Sequence, residues 1–264
     1  MDKLEIKQGS FIQQTQYFIP VEIDLSVVPA RLGIWFFHLS CRTTVKQDLL
    51  VRRQFSLVPD NRTNVNVEAR GGCHIWFIGS SIVYWARRSV FSRPGGMAIG
   101  LQTSGRRISW FGQRGMTWKQ FTPAVGSYLD RHPSPGMILI QVGSNDLGST
   151  KGFELVHDIE CDLLRLRVLL PDVKIVWSEL LQRRYWHTAR EGKAMEKTRK
   201  RVNLAVKNIV LGVEGYVIKH RDINLFRNDG THLSDIGINV YLNTIQEALE
   251  SFLSSNGPRV FPLQ

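Results

Sequence analysis

The sequence predicts an α/β fold, with a parallel sheet of five strands covered by helices on both faces. Three observations predict it. From residue 73 onward, short apolar runs alternate with stretches whose apolar residues recur at helical spacing. The run MILIQVG (137–143) is apolar without alternation, as a central parallel strand covered on both faces requires. Glycine closes several of the runs, where a strand must hand over to a turn.

Each element follows from its residues. CHIWFIG (73–79) is a short buried strand, and SIVYWARRSV (81–90) after it is helical. RRISWFG (106–112) is the second strand. Trp118, Phe121, Val125 and Tyr128 share a helix face, with Thr117 as N-cap. The strand 137–143 precedes an amphipathic helix marked by Phe153, Val156, Ile159, Leu163, Leu166 and Leu170, which Pro171 stops. VKIVWSEL (173–180) is the fourth strand, and a long basic helix over about 190–212 ends near Gly212 or Gly215. YVIKH (216–220) is the fifth strand. The last helix, about 234–253, carries Ile238, Tyr241, Leu242, Ile245 and Leu249 on one face, with Ser234 as its cap. Connections between parallel strands are expected to be right-handed.

The first part of the chain reads differently. Strand-like fragments such as YFIPVEIDL (17–25) occur without regular alternation, and the polar, turn-rich LVPDNRTNVNVEARGG (57–72) resembles a linker. The expected organisation is an N-terminal extension over 1–70, an α/β domain over 71–256 and a C-terminal tail over 257–264.

Of the 264 residues, 43% are hydrophobic and 22% are charged, which excludes wholesale disorder. The net charge of +11 favours nucleic acid, anionic surfaces or acidic substrates as partners, or a merely basic surface. Three cysteines, Cys41, Cys73 and Cys161, make no disulfide framework and no zinc-like pair. Cys73 and Cys161 are expected as buried thiols, which favours a reducing compartment. MDKLEIKQGS lacks the order of a signal peptide, and the apolar LGIWFFHL (32–39) is too short to span a bilayer. The expected location is intracellular and cytoplasmic.

Ligands of an open parallel sheet bind beyond the carboxyl ends of its strands. Gly79-Ser80-Ser81 follows the first strand, Gly112-Gln113-Arg114-Gly115 the second, and Gly143-Ser144-Asn145-Asp146 the third. Asp229-Gly230-Thr231-His232 follows the fifth. These are the parts of an acyl-transfer site. A serine hydroxyl becomes a nucleophile when a base takes its proton, and histidine suits that task. A carboxylate can orient the imidazole, and preorganised N–H groups can hold the oxyanion. Ser81 is the candidate nucleophile, with Ser80 its rival. His232 is the base and Asp229 its partner. Backbone amides of Ser81 and Gly115 and the side chain of Asn145 are candidate oxyanion donors, with Gly112 competing for the second position. Each block read alone is also an ordinary turn or cap. Asp146 is expected to support the loop around Asn145, and His220 to be structural. His187 and Trp186, in the loop after the fourth strand, could form a lid or substrate wall.

These four blocks resemble the SGNH, or GDSL-type, hydrolases. Gly79-Ser80-Ser81 stands where that family has Gly-Asp-Ser, Gly115 is similar to its second-block glycine, Gly143-Ser144-Asn145-Asp146 matches Gly-x-Asn-Asp, and Asp229-Gly230-Thr231-His232 matches Asp-x-x-His. The resemblance covers about residues 73–253. It implies a flavodoxin-like three-layer α/β/α sandwich and an ester hydrolase acting on a small or lipid-like ester. It further implies a Ser81–His232–Asp229 triad, an oxyanion hole from Ser81, Gly115 and Asn145, and neither metal nor organic cofactor. The family's usual aspartate in the first block is Ser80 here. WSELLQRRYW (177–186), KTRKRVN (197–203) and DGTHLSDIG (229–237) further resemble SGNH domains of vertebrate mobile-element, or retrotransposon, proteins.

The basic stretch from 183 to 201 suggests a second function. Arg183, Arg184, Lys197, Arg199, Lys200 and Arg201 are candidates for contact with phosphates of nucleic acid or with an anionic surface. A solvated helix face is the plainer reading of the same charges.

Overall fold

The computed structural model describes residues 74–186, 191–221, 223–254 and 256–262. The readings for residues 1–70, Cys73 and His187 lie outside them. Parallel strands form where apolar runs are buried on both sides, and β1 (His74–Gly79) is buried at every residue. Five further strands join it: β2 (Arg107–Gly112), β3 (Met137–Gln141), β4 (Lys174–Ser178), β5 (Tyr216–Ile218) and β6 (Val260–Phe261). Their order across the sheet is β2-β1-β3-β4-β5-β6, and every pairing is parallel.

The sheet thus has six strands where five were expected. The sixth, Val260–Phe261, comes from the stretch read as a tail. Two residues carry no periodicity, so this strand has no signature of its own and is defined by its pairing with β5.

Five helices cover the sheet: α1 (Ser81–Ser89), α2 (Phe121–Leu129), α3 (Gly152–Leu169), α4 (Gly192–Gly212) and α5 (Asp235–Leu253). Side chains alternate along each strand, and each face has its own core. On one face Trp76, Ile78, Ile138, Ile140, Ile175 and Trp177 meet Phe121 and Val125 of α2, Ile159 and Leu163 of α3, and Val202 and Val206 of α4. On the other, Ile75, Phe77, Leu139 and Val176 meet Val83 and Ala86 of α1 and Ile238, Leu242, Ile245 and Leu249 of α5. The layers are therefore α2, α3 and α4, then the sheet, then α1 and α5. Burying each of the larger of these apolar side chains, Ala86 apart, is worth about 1.5–3 kcal/mol before ordering costs.

Caps set the helix ends. The Ser234 hydroxyl accepts the Gly237 N–H at 3.2 Å and opens α5. The Thr117 N–H donates to the Gln120 side-chain carbonyl at 3.0 Å, starting a 3₁₀ turn (Trp118–Gln120) that leads into α2. Cys161, expected in the core, is half-buried on α3 with its Sγ 3.8 Å from His157 Nε2.

Candidate active site

Because all strands run the same way, their carboxyl ends open onto one edge. Gly79, Gly112 and Gln141 stand level there in the register of β1, β2 and β3. The Ser80 N–H donates to the Gln141 carbonyl at 3.1 Å, and the Gln113 N–H donates to the Gly79 carbonyl at 2.9 Å. α1 starts immediately. A Cβ on Gly79 would lie 2.3 Å from Val83 Cγ2, so only glycine lets the helix turn back this closely. Ser81 is the first residue of α1, buried where the helix's unpaired N–H groups favour negative charge. Ser80, its rival, is the N-cap and is 1% exposed, against 6% for Ser81.

The two glycines after β2 play different parts. A Cβ on Gly112 would sit 2.4 Å from the Tyr84 nitrogen, so Gly112 is where β2 touches the α1 backbone. Gly115 has φ +74° and open space where a Cβ would go. Its loop is fastened to the loop after β3. Asn145 Nδ2 donates to the Met116 carbonyl at 3.0 Å, and the Asp146 carboxylate accepts the Trp118 N–H at 2.9 and 3.1 Å. Burial pushes the Asp146 carboxyl up to about 6, against the Trp118 N–H, which lowers it. Asp146 thus supports the loop around Asn145.

The loop after β4 reaches over this pair. Arg183 donates to Asn145 Oδ1 at 3.1 Å, and its guanidinium lies 5.1 Å from the Trp186 ring centroid. Burial lowers Arg183 to about 10, while the nearby Asp229 charge raises it. The N–H groups of Arg184 and Tyr185 both donate to the Gly230 carbonyl, at 2.9 and 3.0 Å. Gly230 (φ +61°) presses against them, and a Cβ there would lie 3.2 Å from Tyr185 Cβ. On either side of it stand Asp229 and His232. His232 Nδ1 meets Asp229 Oδ2 at 2.7 Å, and Asp229 Oδ1 accepts the N–H groups of Thr231 (2.8 Å) and His232 (2.9 Å). Burial alone would raise the Asp229 carboxyl, but these hydrogen bonds hold it well below the usual carboxylate range.

The contacts close on themselves. The Arg227 N–H donates to the His232 carbonyl at 2.8 Å, and the Arg227 guanidinium lies 4.1 Å from the ring centroid of Trp85, one turn along α1 from Ser81. Arg114, next to Gly115, approaches the same ring. Ser81's helix, the His232 turn, the Arg183 loop, Asn145 and the Gly115 loop therefore form one ring of contacts. Among the described residues no hydrogen bond joins the Ser81 hydroxyl to His232. Catalytic hydrogen bonds often tighten only when substrate arrives.

Other residues fall outside this ring. His220 Nε2 meets Ser178 Oγ at 2.8 Å, and His220 Nδ1 is buried without a partner among the described residues. Burial lowers His220 to about 3. This Ser–His pair joins β4 to the residues just after β5 in the interior. Trp186, in the loop that could form a lid or substrate wall, is buried, with the Arg183 guanidinium beside its ring. The basic stretch divides into three fates. Arg183 belongs to the ring of contacts, and Arg184 lies 5.8 Å from the Phe226 centroid. Lys197, Lys200 and Arg201 are exposed on α4. Arg199 corrects the expectation of an anion contact, because it is 7% exposed, pairs with Glu196 and donates to the Leu180 carbonyl at 2.5 Å. Its neighbours Met195, Val202 and Val206 share the inward face, a spacing that already marks Arg199 as a brace. The convergence of Arg114, Arg183 and Arg227 on this ring of contacts has no signature in the sequence, because they are far apart along the chain.

Among the described residues no group of three or more His, Cys, Asp or Glu lies where it could hold a metal ion, and no helix is long and apolar enough to cross a membrane.

No family sequence model and no curated protein matches the chain. Solved structures do match in shape, and they show the fold: a parallel sheet with helices on both sides, as in the GDSL-type hydrolases. A GDSL-like lipase from Bacteroides thetaiotaomicron is 17% identical, with a TM-score of 0.54 over 69% of this chain and 90% of that one. A putative acylhydrolase from Bacteroides fragilis is 17% identical, with a TM-score of 0.54 over 76% and 95%. A family 3 carbohydrate esterase from Clostridium thermocellum is 18% identical, with a TM-score of 0.53 over 70% and 99%. The resemblance to mobile-element proteins gains no support from these structures.

Proposed function

We propose that the protein is an SGNH-type serine esterase that hydrolyses a carboxylic ester. One observation carries this reading: a single ring of contacts holds Ser81's helix, Gly115's loop, Asn145 and the Asp229–His232 pair at the carboxyl edge of the sheet. The shared fold with lipases and esterases supports it.

In this reading Ser81 Oγ attacks the ester carbonyl carbon while His232 Nε2 accepts the hydroxyl proton. The carbonyl π pair moves to oxygen, and N–H groups of Ser81, Gly115 and Asn145 hold the resulting oxyanion. The pair returns, the ester C–O bond breaks, and the alcohol leaves with the proton from His232. Water repeats the sequence on the acyl-enzyme, releasing the acid and restoring the Ser81 hydroxyl. Asp229, held ionised by its three hydrogen bonds, keeps Nδ1–H pointing at itself and leaves Nε2 to work as the base.

The test is a comparison of wild type with Ser81→Ala. Wild type is expected to cleave a short-chain aryl ester and to be labelled by a serine-reactive fluorophosphonate, and the mutant to lose both. Retention of both by Ser81→Ala removes the proposed nucleophile.

A further inference from the structure

Positive charge gathers on the Trp85 ring near the candidate site. Trp85 lies four residues after Ser81 on α1, so the two share a helix face. Three guanidinium groups approach its ring: Arg227 at 4.1 Å, Arg88 at 5.8 Å and Arg114 at 6.0 Å from the centroid. Arg114 is also 5.9 Å from the Tyr84 centroid. Each arginine is fixed to a different part of the site. Arg88 is on the nucleophile's helix, Arg114 precedes Gly115, and Arg227 bonds the His232 carbonyl through its backbone.

Three like charges gathered within about a Debye length of one another repel, and an indole face offsets only part of that repulsion. Carboxylates are scarce around them. Arg227 has Asp235 at 3.3 Å, and no ion pair among the described residues involves Arg88 or Arg114. Such a cluster attracts a small anion, and guanidinium forks match the oxygens of carboxylate and phosphate. We propose that the Arg88, Arg114 and Arg227 cluster on Trp85 is a subsite for an oxyanion, and that the preferred substrate is an ester with a carboxylate or phosphate a few atoms from the scissile carbonyl. This inference rests on the esterase reading.

The test uses matched esters: 4-(butyryloxy)benzoate against its methyl ester, and 4-(butyryloxy)phenyl phosphate against its dimethyl ester. The readout is the ratio of kcat/KM, anionic over neutral, for wild type and for Arg88→Gln with Arg114→Gln. Wild type is expected to favour the anionic ester at least tenfold in one pair, and the pair that shows it distinguishes carboxylate from phosphate. Raising the salt from 50 to 500 mM and the double substitution should each bring that ratio toward one. Cleavage of the neutral esters with no anionic preference overturns the subsite and leaves the esterase reading intact. A preference unchanged in the double variant also overturns the subsite. Cleavage of none of the four esters by wild type overturns the esterase reading and the subsite with it.

Discussion

Arg183 has a defined task at the scale of a single side chain. Its hydrogen bond to Asn145 Oδ1, together with the bond from Nδ2 to the Met116 carbonyl, fixes which way the amide points. On the proposed esterase reading, in which Asn145 is an oxyanion donor, Arg183 is a positioning residue that acts through it. Losing an oxyanion donor outright costs about 10²–10³ in kcat, and losing only its orientation should cost less. Arg183→Met is expected to lower kcat about tenfold with KM little changed, and Arg183→Lys, which lacks the fork, should not restore it. Steady-state kinetics on a neutral aryl ester checks both, and a change confined to KM would assign Arg183 to substrate binding instead. Nothing in the sequence separates Arg183 from the basic residues that follow it, because its role comes from a contact with a residue 38 positions away.

At the scale of the element, α1 is held where β2 presents no side chain. Gly112 touches the Tyr84 backbone, and backbone cannot move aside as a flexible side chain can. Gly112→Ala is expected to cost about 1–3 kcal/mol and to lift the first turn of α1, carrying Ser81 with it. Urea unfolding measures the first effect and kcat the second, and an unchanged kcat in the destabilised variant would show that Ser81 is placed by other contacts. The same scale shows what the sequence discloses. Strands β1 to β5 and the five helices are legible because each buries a periodic or continuous apolar set. β6 is not legible, since two residues show no period. Arg199 reads as one more surface cation because the run of basic residues around it obscures its place on the inner helical face beside Met195 and Val202.

For the whole molecule, the candidate site is a property of the sheet's edge, and its blocks were readable because parallel strands deliver their carboxyl ends to one place. Their mutual contacts were not readable, since they depend on loops whose shapes carry no repeating signal. One of those fastenings makes stability depend on pH. The Asp146 carboxyl titrates near 3.8 unfolded and about 6 folded, so between these values the folded chain holds more protons than the unfolded chain. Stability is therefore expected to fall by about 1–3 kcal/mol as pH rises from 4 to 6. Asp146→Asn, which keeps an oxygen for the Trp118 N–H, should flatten that slope. Urea titrations across this window test it, and an equal slope in the variant would assign the effect to another group.

The Ser178–His220 pair bears on how the proposed catalytic imidazole can be tested by chemistry alone. Electrophiles such as diethyl pyrocarbonate acylate whichever unprotonated ring nitrogen they can reach. His220 offers none, with Nε2 committed to Ser178 and Nδ1 enclosed. Its acylation therefore requires unfolding, and loss of the proposed esterase activity when the native protein meets such a reagent, if substrate protects against it, points to His232.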